Sequence, residues 1–181
     1  MRLNVLLLGS GGREHALAWS INKSERLNRL YIAPGNPGTA EIGTNVDLDP
    51  GDFDAISSFI EQHDIDLTVV GPEQPLVDGI TDFLEEKGHP VFGPSKQAAQ
   101  LEGSKKFAKE FMEKNNIPTA AYASFSRDEF EEAMAYIKER DQYPAVLKAD
   151  GLAGGKGVFI CETEEEVEKR LNLLEKDAKL N

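Results

Sequence analysis

Short all-apolar runs alternate along this chain with amphipathic segments, and each early run ends at glycine or proline. Val5-Leu6-Leu7-Leu8 is apolar at four consecutive positions, the pattern of a strand buried on both faces. It leads into Gly9-Ser10-Gly11-Gly12 and then a helical pattern over residues 13–22. A second run, 30–33, enters Pro34-Gly35-Asn36-Pro37-Gly38, and residues 52–63 repeat apolar side chains at Phe53, Ile56, Phe59 and Ile60 with a helical period. Residues 67–70 read as a third strand, ending at Gly71-Pro72-Glu73. Residues 75–87 read as one helix with proline at its start, where no N–H partner is lost, and Val91-Phe92 as a fourth strand before Gly93-Pro94-Ser95. This alternation predicts an α/β fold, a parallel sheet with helices on both faces. Ligands of such sheets bind at the carboxyl ends of the strands, so residues 9–14, 34–38, 71–75 and 93–95 are expected along one rim.

The composition shifts near residue 103, the part over 104–181 mixes helical and strand patterns, and 181 residues suit one large domain or two small ones. Ser104-Lys105-Lys106-Phe107 opens a basic amphipathic helix whose Phe107, Phe111 and Met112 share one face, the expected core side, and Ile117-Pro118-Thr119 stops it. Residues 122–125 read as a strand, and 126–140 as a helix capped by Ser126 with Glu129 three positions on. Residues 145–149 and 158–161 form a hairpin, and a last helix over 164–176 begins with three glutamates that suit its first turn.

Two of the connections carry chemistry. Lys148-Ala149-Asp150-Gly151-Leu152-Ala153-Gly154-Gly155-Lys156-Gly157 places two lysines around a turn whose four glycines fall in the connection between the hairpin strands. Glycine lets backbone N–H groups approach a ligand closely, and an ammonium near each end neutralises polyphosphate charge. The Walker spacing fails, because Gly157 follows Lys156 and Asp150 stands five positions before Gly155. A solvated glycine hairpin would fit the same residues. The turn at 9–14 puts a helix N-terminus beside Arg13, whose guanidinium can hold a phosphate in bidentate fashion. A dinucleotide fingerprint fails there: Glu14 replaces its third glycine, and the second strand ends without the acidic residue that binds a ribose hydroxyl. Glu73 and Asp78 are further site candidates, Glu73 directly on the rim.

Charge narrows the ligands. The 181 residues carry a formal net charge of −12, which disfavours nucleic acid and anionic membrane as partners. Residues 1–103 hold 7 Lys+Arg against 16 Asp+Glu and the remainder 13 against 16, so any attraction for a polyanion is local to a pocket. The single cysteine, Cys161, allows no internal disulfide and reads as a small apolar strand residue. His15, His63 and His89 lack metal-ligand spacing, and no apolar run reaches membrane-spanning length, so the expected location is cytoplasmic.

Five segments together carry a resemblance. Gly9-Ser10-Gly11-Gly12-Arg13-Glu14-His15-Ala16, Ala33-Pro34-Gly35-Asn36-Pro37-Gly38-Thr39, Gly71-Pro72-Glu73-Gln74-Pro75-Leu76-Val77, Gly103-Ser104-Lys105 and Lys148-Ala149-Asp150-Gly151-Leu152-Ala153 are similar, in order, to the glycinamide ribonucleotide synthetase family. The resemblance implies a preATP-grasp domain over 1–103 and the start of an ATP-grasp fold, a small α+β unit over 104–181, after it. It also implies an ATP-dependent ligase that joins glycine to 5-phosphoribosylamine through a glycyl phosphate. Lys105 and Lys148 match lysines that hold the nucleotide phosphates, and Gly151, Gly154, Gly155, Lys156 and Gly157 match a loop that closes over them, with Lys148 and Lys156 in the catalytic role. Gly9, Ser10, Gly11, Gly12, Arg13 and Glu14 would hold the sugar phosphate, with Pro34, Gly35, Asn36 and Glu73 near the ribose and amine. ATP with magnesium, manganese being the alternative ion, is the implied cofactor, and its metal ligands are expected beyond Asn181. Two rivals share part of the pattern: another ATP-grasp ligase or carboxylase component, and a nucleotide-binding module without catalysis.

Family members run to more than twice this length, so the chain is expected to be an N-terminal portion that folds without turning over. Purified residues 1–181, supplied with ATP, glycine and fresh 5-phosphoribosylamine, should form no glycinamide ribonucleotide. Turnover on the order of 1 to 1,000 per second would contradict this.

Overall fold

A computed structural model of the chain describes residues 2–152, 154 and 157–176. Two compact units divide it, Met1–Gln100 and Leu101–Asn181.

The first unit is a five-stranded sheet of β1 (Leu3–Gly9), β2 (Leu27–Pro34), β3 (Thr44–Asn45), β4 (Leu67–Val70) and β5 (Val91–Phe92). All neighbouring pairs are parallel and the order is β3-β2-β1-β4-β5. Leu6, Leu7 and Leu8 of the central strand are all fully buried, which is why that run shows no polar alternation. Leu6 and Leu8 pack with Tyr31, Ala33 and Val70 against Ile56 and Ile60 of α2 (Phe53–Gln62) and against Ile80 and Leu84 of α4 (Ile80–Glu86). Val5 and Leu7 pack on the opposite face with Leu30, Ile32 and Val69 against Ala18 of α1 (Gly12–Ile21). Helices thus cover both faces, as the α/β pattern requires.

The stretch expected as one helix over 75–87 is two. α3 (Glu73–Asp78) stops at Gly79, whose left-handed backbone, φ 104°, turns the chain before α4 begins. That conformation suits a residue without Cβ, and the Gly79 N–H closes the turn on the Pro75 and Leu76 carbonyls. The strand β3 and the helix α5 (Lys96–Gly103) carry no strong apolar period and were not expected. α5 runs across the division between the units.

In the second unit α6 (Lys105–Lys114) and α7 (Phe130–Arg140) precede an antiparallel hairpin, β6 (Ala145–Lys148) and β7 (Val158–Cys161), and α8 (Glu164–Lys176) follows. Met134, Ala145, Cys161 and Val167 form its core with Leu147 and Phe159 at the edge, so α7 and α8 cover one face of the hairpin. Burial raises the Cys161 thiol pKa, as expected of a structural cysteine.

Three expectations fail here. No residue of α6 is buried, and Phe111 is exposed, so its apolar face is not a core face in this unit. Residues 122–125 form no strand; the preceding stretch is tied to α6 by the Lys109 ammonium, which donates to Thr119 Oγ1 and the Ala120 carbonyl. The helix expected from 126 starts at Phe130, because Ser126 and Glu129 satisfy one another: the Ser126 N–H and hydroxyl both donate to Glu129 Oε2, at 2.7 and 2.6 Å. Among the described residues no helix is long and apolar enough to cross a membrane.

Leu7→Ala, at the centre of the sheet, should cost about 2–5 kcal/mol. Ile160→Ala, on the uncovered hairpin face, should stay within about 0.5 kcal/mol. Urea unfolding of the two variants checks the contrast.

Candidate functional site

Strand order reverses between β1 and β4, the two central neighbours, and in an open parallel sheet the crevice at their carboxyl ends is where ligands bind. The residues at that crevice are Gly9 at the end of β1, Gly71 after β4, and the first turn of α1. Glu14 fills it. Only 4% exposed, its carboxylate accepts the Gly11 N–H on Oε2 at 2.7 Å and the Arg13 Nε–H on Oε1 at 2.9 Å. Reaching back from the third helical position to the capping residue is one half of a capping box. Its methylenes lie against the backbone of both glycines: a Cβ built on Gly9 would stand 2.5 Å from Glu14 Cγ, and so would one on Gly71. Only glycine fits at either place while Glu14 stays.

Arg13 extends from this fixed carboxylate toward the β4 loop. Its Nη1 donates to Glu73 Oε1 at 2.7 Å and its Nη2 to Glu73 Oε2 at 3.2 Å, a bidentate fork at the start of α3. Glu73 and Glu14, accepting hydrogen bonds, hold the guanidinium pKa above its ordinary value. In return the Arg13 fork and a backbone N–H hold the Glu73 carboxyl below the usual carboxylate range, against a smaller effect of burial. The guanidinium read from the sequence as a phosphate fork is therefore paired with two carboxylates in this structure.

The β2 loop is tied to the same rim. Gly35 N–H donates to the Gly9 carbonyl at 3.1 Å and the Asn36 amide to the Ser10 carbonyl at 2.9 Å. Asn36 Oδ1 accepts the Thr39 N–H at 3.0 Å, while Thr39 Oγ1 accepts the Asn36 N–H and Asn45 Nδ2 donates to the Asn36 carbonyl. Asn36 thus positions the loop with both ends of its side chain. Thr39 is fully buried, and Asn45 packs against Gly35, where a Cβ would lie 2.3 Å from Asn45 Oδ1. Sequence reasoning gave Thr39 and Asn45 no role of their own: Thr39 directly follows the Pro34–Gly38 turn, and Asn45, in β3, carries no local signal. Gly9, Ser10, Gly11, Gly12, Arg13, Glu14, Pro34, Gly35, Asn36 and Glu73 are thereby brought to one rim. Asp78 is at the other end of α3, with its carboxylate engaged by the Gln74 amide at 3.0 and 3.1 Å.

The second unit holds a separate cationic surface. Residues alternate across the hairpin, so Val146 opposite Ile160 and Lys148 opposite Val158 line the face left uncovered by α7 and α8. Val146 is 51% and Ile160 67% exposed, an apolar strip with the Lys148 ammonium at its end. Asp150, just past β6, clasps the start of α6: Oδ1 accepts the Lys105 and Lys106 N–H groups at 2.6 and 3.2 Å, and Oδ2 accepts the Ser104 hydroxyl at 2.9 Å. Burial pushes the Asp150 carboxyl up, but the Ser104 hydroxyl and the Lys106, Gly151 and Lys105 amides outweigh it and hold it below its ordinary value. Lys105 Nζ donates to the Gly151 carbonyl at 2.8 Å. That partner is a neutral carbonyl, not a carboxylate. Gly154 and Gly157 lie in the connection, and the Gly157 carbonyl accepts the Ala149 N–H; Gly155 and Lys156 lie outside the described residues.

The doubly wound sheet with its glycine rim marks an α/β protein, and the match of residues 103–179 to an ATP-grasp (A) domain places the second unit in the ATP-grasp class. The same fold appears in the biotin carboxylase domain of Hydrogenobacter thermophilus 2-oxoglutarate carboxylase, with TM-score 0.73 and 22% identity over 96% of this chain and 42% of that one. It appears also in N5-carboxyaminoimidazole ribonucleotide synthetase from Thermotoga maritima, with TM-score 0.70 and 21% identity over 92% and 43%. Within that class, the chain belongs to the phosphoribosylglycinamide synthetase family, whose N domain matches residues 3–102 and whose ATP-grasp (A) domain matches residues 103–179. A phosphoribosylamine–glycine ligase from Rhodopirellula baltica is 49% identical over 91% of this chain and 38% of its own length, and one from Mesorhizobium japonicum 52% identical over 94% and 39%. The crystal structure of the Thermotoga maritima phosphoribosylamine–glycine ligase matches with TM-score 0.68 and 36% identity over 92% of this chain and 38% of that one. The chain thus spans about two fifths of these relatives.

Gly71→Ala should destabilise the first unit by about 1–3 kcal/mol, because buried Glu14 has no room to yield to the added methyl. Gly12→Ala, whose Cβ meets nothing within 4 Å, should be neutral or stabilising. Equal urea midpoints for the two variants would remove Glu14 as a fixed element. Asp150, with its lowered pKa, contributes stability that is present above the unfolded value near 3.9 and lost as pH falls through the folded one. Asp150→Asn should therefore flatten the acid limb of the second unit's stability profile; its exposure keeps the change under about 1 kcal/mol.

Proposed function

We propose that this chain carries two binding surfaces of an ATP-dependent phosphoribosylamine–glycine ligase, one for the sugar phosphate in residues 1–103 and one for nucleotide phosphates in residues 104–181. The observation that carries the reading is membership of the family over both units, joined to an anion-binding group in each. At the rim, the first N–H groups of α1, at Gly12 and Arg13, have no intrahelical acceptor, and Arg13 adds a fork fixed by Glu14. Glu73, bonded to the same fork, borders the place proposed for the phosphate and its ribose. On the hairpin, Val146 and Ile160 offer apolar contact to a base, and Lys148 and Lys105 offer two ammonium groups to phosphates. Asp78, engaged by Gln74, contributes at most indirectly.

The chemistry needs no nucleophile from the protein. Glycine's carboxylate attacks the γ-phosphorus of ATP and ADP leaves, giving glycyl phosphate; the amine of 5-phosphoribosylamine then attacks the acyl carbon, loses a proton and expels phosphate. Catalysis is positioning and charge neutralisation. Lys148 reduces the negative charge on the phosphates, and Lys105, anchored at Gly151, fixes where they sit; Lys156 is proposed to join them from the loop. Magnesium would supply neutralisation of phosphate charge; among the described residues no group of three or more His, Cys, Asp or Glu side chains could hold it.

Arg13→Ala should weaken binding of glycinamide ribonucleotide to the chain by about 1.5–3 kcal/mol, the range for a charge-assisted hydrogen bond, by calorimetry. Equal affinity would remove the rim from the sugar-phosphate role. Lys148→Ala should weaken ATP binding and leave glycinamide ribonucleotide binding unchanged; an unchanged ATP affinity would remove the hairpin.

A further inference from the structure

Arg13 holds two carboxylates, and their surroundings differ sharply. Glu14 is 4% exposed and wedged between Gly9 and Gly71, so it is fixed. The Glu73 side chain is 40% exposed on the first turn of α3. Rotation of its side chain carries the carboxylate into water without disturbing the fold. The three groups together carry a net charge of −1 at the place where a phosphate is proposed to bind. A phosphate brings about −1.5 to −2 more at neutral pH. Both Glu73 oxygens occupy the Nη1 and Nη2 donors, the pair of N–H groups that would grip two phosphate oxygens side by side. Carboxylate and phosphate therefore compete for one fork.

We propose that Glu73 is a displaceable stand-in for the substrate phosphate: it keeps the Arg13 fork oriented when the rim is empty and swings away when a phosphate monoester arrives. The inference rests on the sugar-phosphate reading of the rim and adds a role for Glu73 as a positioning residue that acts through Arg13. Glu14 stays with Nε in both states and keeps the guanidinium plane in place. The exchange sets selectivity as well as affinity. A dianionic phosphate with two oxygens to offer outcompetes the resident carboxylate, while a ligand carrying a single carboxylate gains nothing by replacing it. Because Arg13 keeps the Glu73 carboxyl ionised well below neutral pH, the stand-in is present throughout the physiological range.

The test is a double-mutant cycle read by NMR titration of the 181-residue chain with ribose 5-phosphate, using wild type, Glu73→Gln, Arg13→Ala and the double variant. Glu73→Gln should tighten binding by about 1.5- to 5-fold, the strength of an exposed ion pair no longer broken. In the Arg13→Ala background the same change should have no effect, since there is no fork to release. Acetate, which gains nothing by replacing the resident carboxylate, should not bind the wild type measurably; acetate binding as tight as ribose 5-phosphate would overturn the proposal. Weaker binding by Glu73→Gln would make Glu73 a direct ligand contact and overturn the proposal, and unchanged binding would overturn it as well. Equal tightening in both backgrounds would reduce Glu73 to a source of repulsive field and also overturn it. If Arg13→Ala itself left affinity unchanged, the sugar-phosphate reading would fall first and the stand-in with it.

Discussion

A carboxylate buried between two glycines sets the geometry of the rim. Burying a charge is costly unless it is paired and hydrogen-bonded, and Glu14 meets both demands within one helical turn, from the Gly11 N–H and the Arg13 guanidinium. Gly9 and Gly71 have no side chain because Glu14 occupies the space. The consequence for ligands is direct. In a dinucleotide site the glycine turn is left open for a pyrophosphate, whereas here a resident carboxylate has taken the Gly11 amide. What remains for an anion is the edge of the turn, Gly12 and Arg13, which suits a single terminal phosphate.

The two units handle charge in opposite ways. In the first, the one arginine at the rim is matched by two carboxylates, in a stretch with a net charge of −9 from 7 Lys+Arg and 16 Asp+Glu over residues 1–103. Such a rim repels anions in general and admits one able to compete for the fork. In the second, Lys105 donates to a neutral carbonyl and Lys148 stands on an uncovered sheet face. Asp150, the nearby acid, is satisfied by amides and a hydroxyl, and among the described residues it forms no ion pair with either lysine. A rim that competes and a hairpin that attracts fit the sugar-phosphate and polyphosphate roles proposed for them.

Much of this was legible because glycine and proline mark where strands end. The four strands read from Val5-Leu6-Leu7-Leu8, 30–33, 67–70 and Val91-Phe92 fall within β1, β2, β4 and β5. In β1 the run is apolar because both faces are buried, while edge strand β5, with Phe92 70% exposed, was marked by the Gly-Pro turn that follows it. The two-residue β3 has no period to detect. Gly79 breaks a helix whose apolar pattern continues past it, because the turn depends on backbone conformation and leaves no trace in hydrophobicity. The early start expected for α7 failed because Ser126 and Glu129 satisfy one another locally, and among the described residues 122–125 belongs to neither sheet. At the site, residue types pointed to the rim, but the pairing of Arg13 with Glu73 joins positions 60 residues apart and only the fold brings them together.

The central claim is that a built anion site exists at the Gly12–Arg13 edge of a crevice closed by Glu14. A crystal structure of this chain with ribose 5-phosphate tests it most directly. The account predicts phosphate oxygens on the Gly12 and Arg13 N–H groups and on the Arg13 fork, with Glu14 still on the Gly11 N–H. A phosphate bound elsewhere on the first unit, or a Glu14 carboxylate expelled from between Gly9 and Gly71, would contradict it.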